Sequence, residues 1–262
     1  MNFELLVLTA DPLQAQLVTA AGADAVIIDW ENQGKYQRQS GADTQINADT
    51  PADLRRVRQA ISAPIICRIN GPGPTLRAEV ETALDCGADE LLLPMVRHLD
   101  EALQFLDAVD GRCRAGILIE TPPAVALAPQ LGALPLHRIY VGLNDLAIAR
   151  RSPSIFSALS DGTVDSVRPH VQTRFGVAGL TRPTSGNPIP CSLLMGEILR
   201  LQSSFSFLRR SFWKDTAGSD LPTEITQIRQ ALAAAAQRTP LQIHHDRGQF
   251  LNAVNAILSS AA

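Results

Sequence analysis

Short apolar runs alternating with longer stretches of helical periodicity are the feature that most narrows what this chain can fold into. The runs fall at Phe3–Leu8, Ala25–Ile28, Pro64–Arg68, Glu90–Leu93, Ala115–Ile119, Arg138–Val141, Gly176–Gly179 and Ser204–Leu208. Helical stretches are predicted between them over Pro12–Ala21, Ala52–Ile61, Leu76–Cys86, Asp100–Ala108 and Leu193–Leu201. In the third of these, Leu76, Val80 and Leu84 recur at helical spacing, a stripe that would face a sheet. Such alternation is the mark of βαβ units and a parallel sheet, and eight units predict a (β/α)8 TIM barrel. Two Gly-Ala-Asp steps, at residues 22–24 and 87–89, each close a helix and lead into a strand, as a repeated unit would.

Two further helices, Leu221–Ala236 and Asp246–Leu258, follow the last run, so the expectation is a single domain over residues 1–262 with a helical extension from about 221. A length of 262 residues suits one barrel domain, and 45% hydrophobic residues suffice for a sizeable core. A formal net charge of −3 argues against a nucleic-acid surface. No run is apolar for long enough to span a bilayer, and no leader pattern is evident at the start, so a cytoplasmic address is expected. Cys67, Cys86, Cys113 and Cys191 form no C-x-x-C pair, which predicts free thiols rather than a zinc or redox site.

In a barrel of this kind the reacting groups sit at the carboxyl ends of the strands. Here those ends are polar. The second run leads into Asp29, Glu31 and Asn32, the third into Arg68 and Asn70, the fifth into Glu120 and the sixth into Asn144 and Asp145. Arg182 follows the seventh, and Arg209 and Arg210 follow the eighth. Glu120 and Asp145 end adjacent strands as hard oxygen donors, the ligands that Mg2+ or Mn2+ requires. Such a metal would chelate an oxo acid and stabilise the enolate formed when a carbon–carbon bond breaks. Arg68 adds a fixed positive charge against that enolate. Asn70, Asn144, Arg182 and Arg210 are candidates for binding substrate. Of the consecutive Arg209 and Arg210, at most one is expected to enter the site.

The segments GADAVIIDWE, ICRIN, GADELLLPMV, ILIETPPAV and IYVGLNDLAIA occur in order over more than half the chain. With them the sequence resembles the HpcH/HpaI aldolase and citrate lyase beta-subunit family, metal-dependent barrels related to the phosphoenolpyruvate and pyruvate enzymes. The resemblance implies a metal held by Glu120 and Asp145, a substrate-binding Arg68 and a conserved acid at Asp29. A narrower likeness, through DWENQGKYQRQ, LSDGTV and LRRSF, is to a less characterised aldolase or citrate-lyase-like branch. Its pattern falls on Asp29, Glu31, Gly34, Lys35, Arg38 and Gln39, and it implies that Lys35, Arg38 and Gln39 bind an anionic group of the substrate and that Arg210, rather than Arg209, is the arginine of the site.

One departure matters. Pyruvate aldolases of the family carry a histidine directly after the glutamate that matches Glu31, and this chain carries Asn32. An amide takes up no proton near neutral pH, so the base is Asp29, Glu31 or metal-bound water. The citrate-lyase side of the family has an aspartate at that place, which Asn32 does not reproduce either.

The remaining motifs read as structure. Gly71-Pro72-Gly73-Pro74 lacks the spacing of a phosphate loop and predicts a rigid turn. His244-His245-Asp246 predicts a surface turn before the last helix, and His98 a helix start. Residues 152–160 suit a lid or a subunit contact. The apolar stripe Phe250, Leu251, Val254, Ile257, Leu258 suits either packing on the barrel or a homo-oligomer interface. The expected activity is a metal-dependent carbon–carbon lyase or aldolase acting on a small anionic 2-oxo acid. The alternatives are a citrate-lyase-like or condensing enzyme using a CoA ester or dicarboxylate, and a barrel without catalysis that serves as a scaffold.

Overall fold

In a computed structural model, which describes residues 3–34 and 49–260, the predicted strands close into a parallel barrel. They are β1 (Glu4–Leu8), β2 (Ala25–Asp29), β3 (Ile65–Arg68), β4 (Glu90–Leu93), β5 (Arg114–Ile119), β6 (Arg138–Val141), β7 (Arg174–Leu180) and β8 (Phe205–Leu208). Each pairs with its sequence neighbours, and β1 closes the ring against β8. The helices are α1 (Pro12–Ala20), α2 (Pro51–Ala60), α3 (Leu76–Asp85), α4 (Leu99–Val109), α5 (Pro122–Ala126), α6 (Ala128–Gly132) and α7 (Leu143–Ala149). They continue with α8 (Ser157–Ser160), α9 (Thr163–Val167), α10 (Cys191–Arg200), α11 (Ser211–Asp215), α12 (Leu221–Ala236) and α13 (Pro240–Ser260).

Side-chain alternation along each strand separates two cores. Val26, Ile28, Ile65, Cys67, Leu91, Leu93, Ile117, Ile119, Ile139 and Val141 face the helices. Ala25, Ile27, Ile66, Leu92, Leu118, Tyr140, Phe205 and Phe207 fill the barrel interior. The inward parity also fixes the polar positions. Glu4, Glu90 and Arg138 come before the apolar interior layer, at the amino-terminal end of the barrel. Asp29, Arg68 and Glu120 come after it, at the carboxyl end.

The Gly-Ala-Asp repeat has one structural meaning in both copies. Gly22 and Gly87 take φ of +105° and +92°, values that favour glycine. The aspartate that follows then pins the preceding strand: Leu5 N–H donates to Asp24 Oδ2 at 2.7 Å, and Ile65 N–H to Asp89 Oδ2 at 2.8 Å. Helix starts are capped as the sequence requires. Asp11 accepts from Leu13 and Gln14 N–H at the head of α1, and Thr50 and Asp53 form a capping box on α2.

The last helix departs from expectation. It begins at Pro240, so His244, His245 and Asp246 lie inside it rather than in a turn, and Asp246 pairs with Arg238 at 2.6 Å. Pro240 is accommodated in the first turn, where no intrahelical N–H is needed. Phe250 and Val254 are fully buried, with Ile257 and Leu258 packed beside them, and α13 lies against α10. Phe250, Val254, Ile257 and Leu258 of the stripe therefore pack within the chain. Among the described residues no helix is long and apolar enough to cross a membrane.

The amino-terminal end of the barrel is plugged by charge. Arg138 donates Nε and Nη2 to the fully buried Glu90, and Nη1 to Glu4 at 3.1 Å. Its guanidinium lies over Phe205, 4.7 Å from the ring centre. Removing one partner of a buried pair strands the other charge, so Arg138→Ala should lose about 3–5 kcal/mol in urea unfolding. A loss below about 1 kcal/mol, the range of a surface pair, would refute this role.

Candidate active site

At the opposite end the strand termini surround a cleft of about 1540 Å3. Its floor is aromatic: Phe207 stacks on Tyr140 with ring centres 4.1 Å apart. The Tyr140 hydroxyl donates to the Ala178 carbonyl at 2.8 Å, and Ser206 Oγ donates to the same oxygen. Ala178 holds a left-handed φ of 60° at the β7 irregularity that turns this carbonyl inward. Burial keeps the Tyr140 phenol well above its usual range and hence neutral.

Charge converges above the floor. Arg68 donates Nε to Asp29 Oδ1 at 2.8 Å and Nη2 to Asp29 Oδ2 at 2.7 Å, a two-point clasp. Its Nη1 lies 3.4 Å from Glu31 Oε2. Burial alone would lower the Arg68 pKa, but Asp29, Glu31 and Glu120 outweigh it and hold the group cationic. Glu31 N–H donates to Asp29 Oδ1 at 3.2 Å, and Asp29 N–H to Asp49 Oδ2 at 2.8 Å.

Glu120 follows β5 with inward parity and is 2% exposed. Met95, held at a φ of 59°, donates its N–H to Glu120 Oε1 at 2.8 Å. Gly142 backs the carboxylate: a Cβ there would lie 2.8 Å from Glu120 Cβ. Burial, then Glu31 and Asp145, push the Glu120 pKa up to about 8, against the opposing pull of Arg68 and the Met95 N–H. Asp145 does not end a strand. It sits in the first turn of α7, buried, and lines the cleft with Asn144.

This donor set fits a hard divalent cation. Among the described residues no three His, Cys, Asp or Glu side chains converge as a ready-made cage. Glu120 and Asp145 supply two oxygen donors, and Mg2+ is commonly held by one or two carboxylates, with water and substrate completing its shell. The burial and carboxylate repulsion that raise Glu120 are the condition a cation would relieve.

Other sequence expectations are redistributed. Asn70 does not face the cleft: its Oδ1 accepts from Asn32 and Gln33 N–H, and its Nδ2 donates to Glu79. It clamps the β2 loop onto the β3 loop. Arg182 turns away to Glu224 of α12, 2.9 Å from Nε, and to the Asp215 carbonyl. Arg210 lines the cleft, and so does Arg209. The expectation that only one enters assumed a continuing strand, but β8 ends at Leu208 and Arg210, the cap of α11, already has helical backbone angles. Of residues 152–160, Ser152, Pro153, Ile155 and Phe156 also line the cleft. Lys35, Arg38 and Gln39 lie outside the described residues. Asp49, Tyr140 and Arg209 are site residues that the sequence reading missed. For Tyr140 a signal was present in the inward parity it shares with Arg138; for Asp49 there was none.

No protein-family model matches the chain, and no curated protein sequence matches it. Solved structures do. An HpcH/HpaI aldolase from Desulfitobacterium hafniense DCB-2 superposes with a TM-score of 0.60 at 13% identity, over 91% of this chain and 95% of that one. An HpcH/HpaI aldolase/citrate lyase family protein from Burkholderia cenocepacia J2315 gives a TM-score of 0.61 at 15% identity, over 89% and 94%. The citrate synthase SbnG gives 0.56 at 17% identity, over 90% and 94%. At these identities the likeness establishes the fold, an eight-stranded parallel barrel with flanking helices.

Because burial raises the Glu120 pKa above its unfolded value, the folded chain binds the extra proton between the ordinary carboxylate range and pH 8. Stability contributed by this group therefore falls as pH rises through that window. Glu120→Gln should raise the melting temperature of the metal-free protein by roughly 5 °C at pH 9, and by much less at pH 6. Melting curves in chelator that shift equally at both pH values would contradict the assignment.

Proposed function

We propose that the chain is a divalent-metal-dependent carbon–carbon lyase of the HpcH/HpaI aldolase and citrate lyase type, acting on a 2-oxo acid through an enolate. The observation that carries this reading is the pairing, in one cleft, of a clasped cationic Arg68 with the buried, mutually repelling Glu120 and Asp145. Glu120 and Asp145 would hold Mg2+ or Mn2+. When bound, such a cation offers a Lewis acid to the keto oxygen and carboxylate of the substrate and stabilises enolate charge.

The chain's own groups supply the remainder. Arg68, fixed by Asp29, presents N–H donors to the oxygen on which charge develops, without reorganising during the reaction. Asp29 spends both oxygens on that clasp and so positions Arg68, and the proton exchange is assigned to Glu31 beside it. Asn32 carries no titratable group, and its backbone N–H is committed to Asn70. The Tyr140–Phe207 floor excludes water beneath the reacting carbons. Asn144 and Arg210 line the cleft where the acceptor would sit.

A citrate-lyase-like or condensing reaction on a dicarboxylate or CoA ester is the second reading. It is favoured by the size of the cleft, about 1540 Å3 against the usual range of roughly 300–1,000 Å3 for ligand pockets.

Exchange of the pyruvate methyl protons in deuterated buffer, followed by NMR, separates the two. The first reading predicts exchange that needs Mg2+ or Mn2+, disappears in Glu120→Ala and slows by about 100-fold or more in Arg68→Ala. Exchange that persists in chelator or in Glu120→Ala would refute it, and absence of exchange with every metal would favour the second.

A further inference from the structure

The wall of the cleft built by β7 and β8 contains an arginine whose neighbours do not account for it. Arg209 lines the cleft beside Arg210 and Lys214. Arg68 and Arg182 meet carboxylates at Asp29 and Glu224. Among the described residues the Arg209 guanidinium meets none within ion-pair distance, and its buried Nε has no acceptor. The nearby Asp215 carboxylate accepts from the Thr181 hydroxyl instead. Ser211 Oγ, buried on the same wall, likewise has no partner among the described residues. Two buried donors left without acceptors on one surface are costly unless something supplies an oxygen to them.

The position of Arg209 is also built. Its N–H donates to the Leu180 carbonyl at 2.8 Å, and its own carbonyl accepts from Phe212 N–H at 2.8 Å, so the backbone is pinned on both sides. The side chain then passes two glycines. A Cβ on Gly179 would lie 2.9 Å from Arg209 Cβ, and one on Gly186 would lie 3.2 Å from Arg209 Nη2. Both glycines line the cleft, and together they leave a slot for this side chain. The slot lies on β7 and β8, away from Arg68 on β3 and from Glu120 and Asp145 at β5 and β6.

We propose that Arg209 and Ser211 form a second anion subsite, which selects 2-oxo acids bearing another oxyanion, carboxylate or phosphoryl, at the end remote from the keto group. This rests on the 2-oxo acid reading above and sharpens it. The reacting end would lie against Arg68, and the remote anion would receive Arg209 Nε–H and the Ser211 hydroxyl.

Calorimetric titration of the full chain with Mn2+ tests this, using pyruvate, 2-oxo dicarboxylates of four to six carbons, and phosphonopyruvate. The wild type should bind at least one doubly charged probe about tenfold more tightly than pyruvate, and Arg209→Gln should bring that ratio near unity. Arg209→Lys, which keeps the charge but not the fork, should fall between. A gain for the dicarboxylates or for the phosphonate identifies the oxyanion. A wild type without preference, or an Arg209→Gln variant that keeps the ratio, would overturn the proposal. The Mn2+ isotherm of each protein is read separately. Mn2+ binding without anion preference defeats the subsite alone, and an Arg209-dependent preference without Mn2+ binding defeats the metal reading while the subsite stands.

Discussion

Arg68 is shared between Asp29 and Glu31, and the electrostatics of the barrel mouth are arranged around that clasp. A guanidinium held at two points by one carboxylate and approached by another cannot swing to neutralise Glu120. It moderates Glu120 from a distance, and the carboxyl still rises to about 8 through burial and its neighbours Glu31 and Asp145. At Glu120, burial and the neighbouring carboxylates Glu31 and Asp145 outweigh Arg68. Taking ions out of water costs several kcal/mol each unless they are paired, so a Glu120 carboxyl pushed up to about 8 favours a proton or a cation beside it. The clasp thus fixes the donor that would meet an enolate and keeps it on Asp29 rather than on Glu120.

The amino-terminal end of the same barrel shows the contrasting solution. There Glu90 and Glu4 are met by Arg138, with Arg114 3.8 Å from Glu90 and Arg174 3.1 Å from Glu4. The strands place charges inward at both ends by the same parity, with apolar layers between. One end closes the barrel with buried ion pairs; the other opens into the cleft. This division, stability below and chemistry above, is the one a parallel barrel imposes, because its loops of variable chemistry follow the strand ends. Met95 and Ala178, both held at left-handed φ, aim a donor and an acceptor inward at this end, the kind of local strain that accumulates at functional sites.

Much of this was legible in the sequence because it depends on period and position. Strand and helix periodicity located the barrel elements to within a few residues, and reading the strand ends brought out Asp29, Glu31, Arg68 and Glu120. What remained hidden depends on where a side chain turns after the regular element stops. Asn70 and Arg182 follow their strands as closely as Arg68 does, yet one spends its amide on two loop N–H groups and the other reaches Glu224 on a helix distant in sequence. Arg209 was set aside because alternation admits one of the pair and the branch likeness points to Arg210, but alternation lapses when β8 ends at Leu208. Asp145 reached the site from a helical turn rather than a strand, and Asp49 precedes the capping residue Thr50 with no pattern to mark it.

The central claim, that Glu120 and Asp145 form a cation site, is tested most directly by titrating Mn2+ into the chelator-treated protein and following free Mn2+ by electron paramagnetic resonance. A single site should appear, weaken on going from pH 9 to pH 6 as protons compete at Glu120, and be lost in both Glu120→Gln and Asp145→Asn while the fold is kept. Mn2+ that binds with the same affinity in both variants, or that fails to bind the wild type at any pH in this range, would contradict the account.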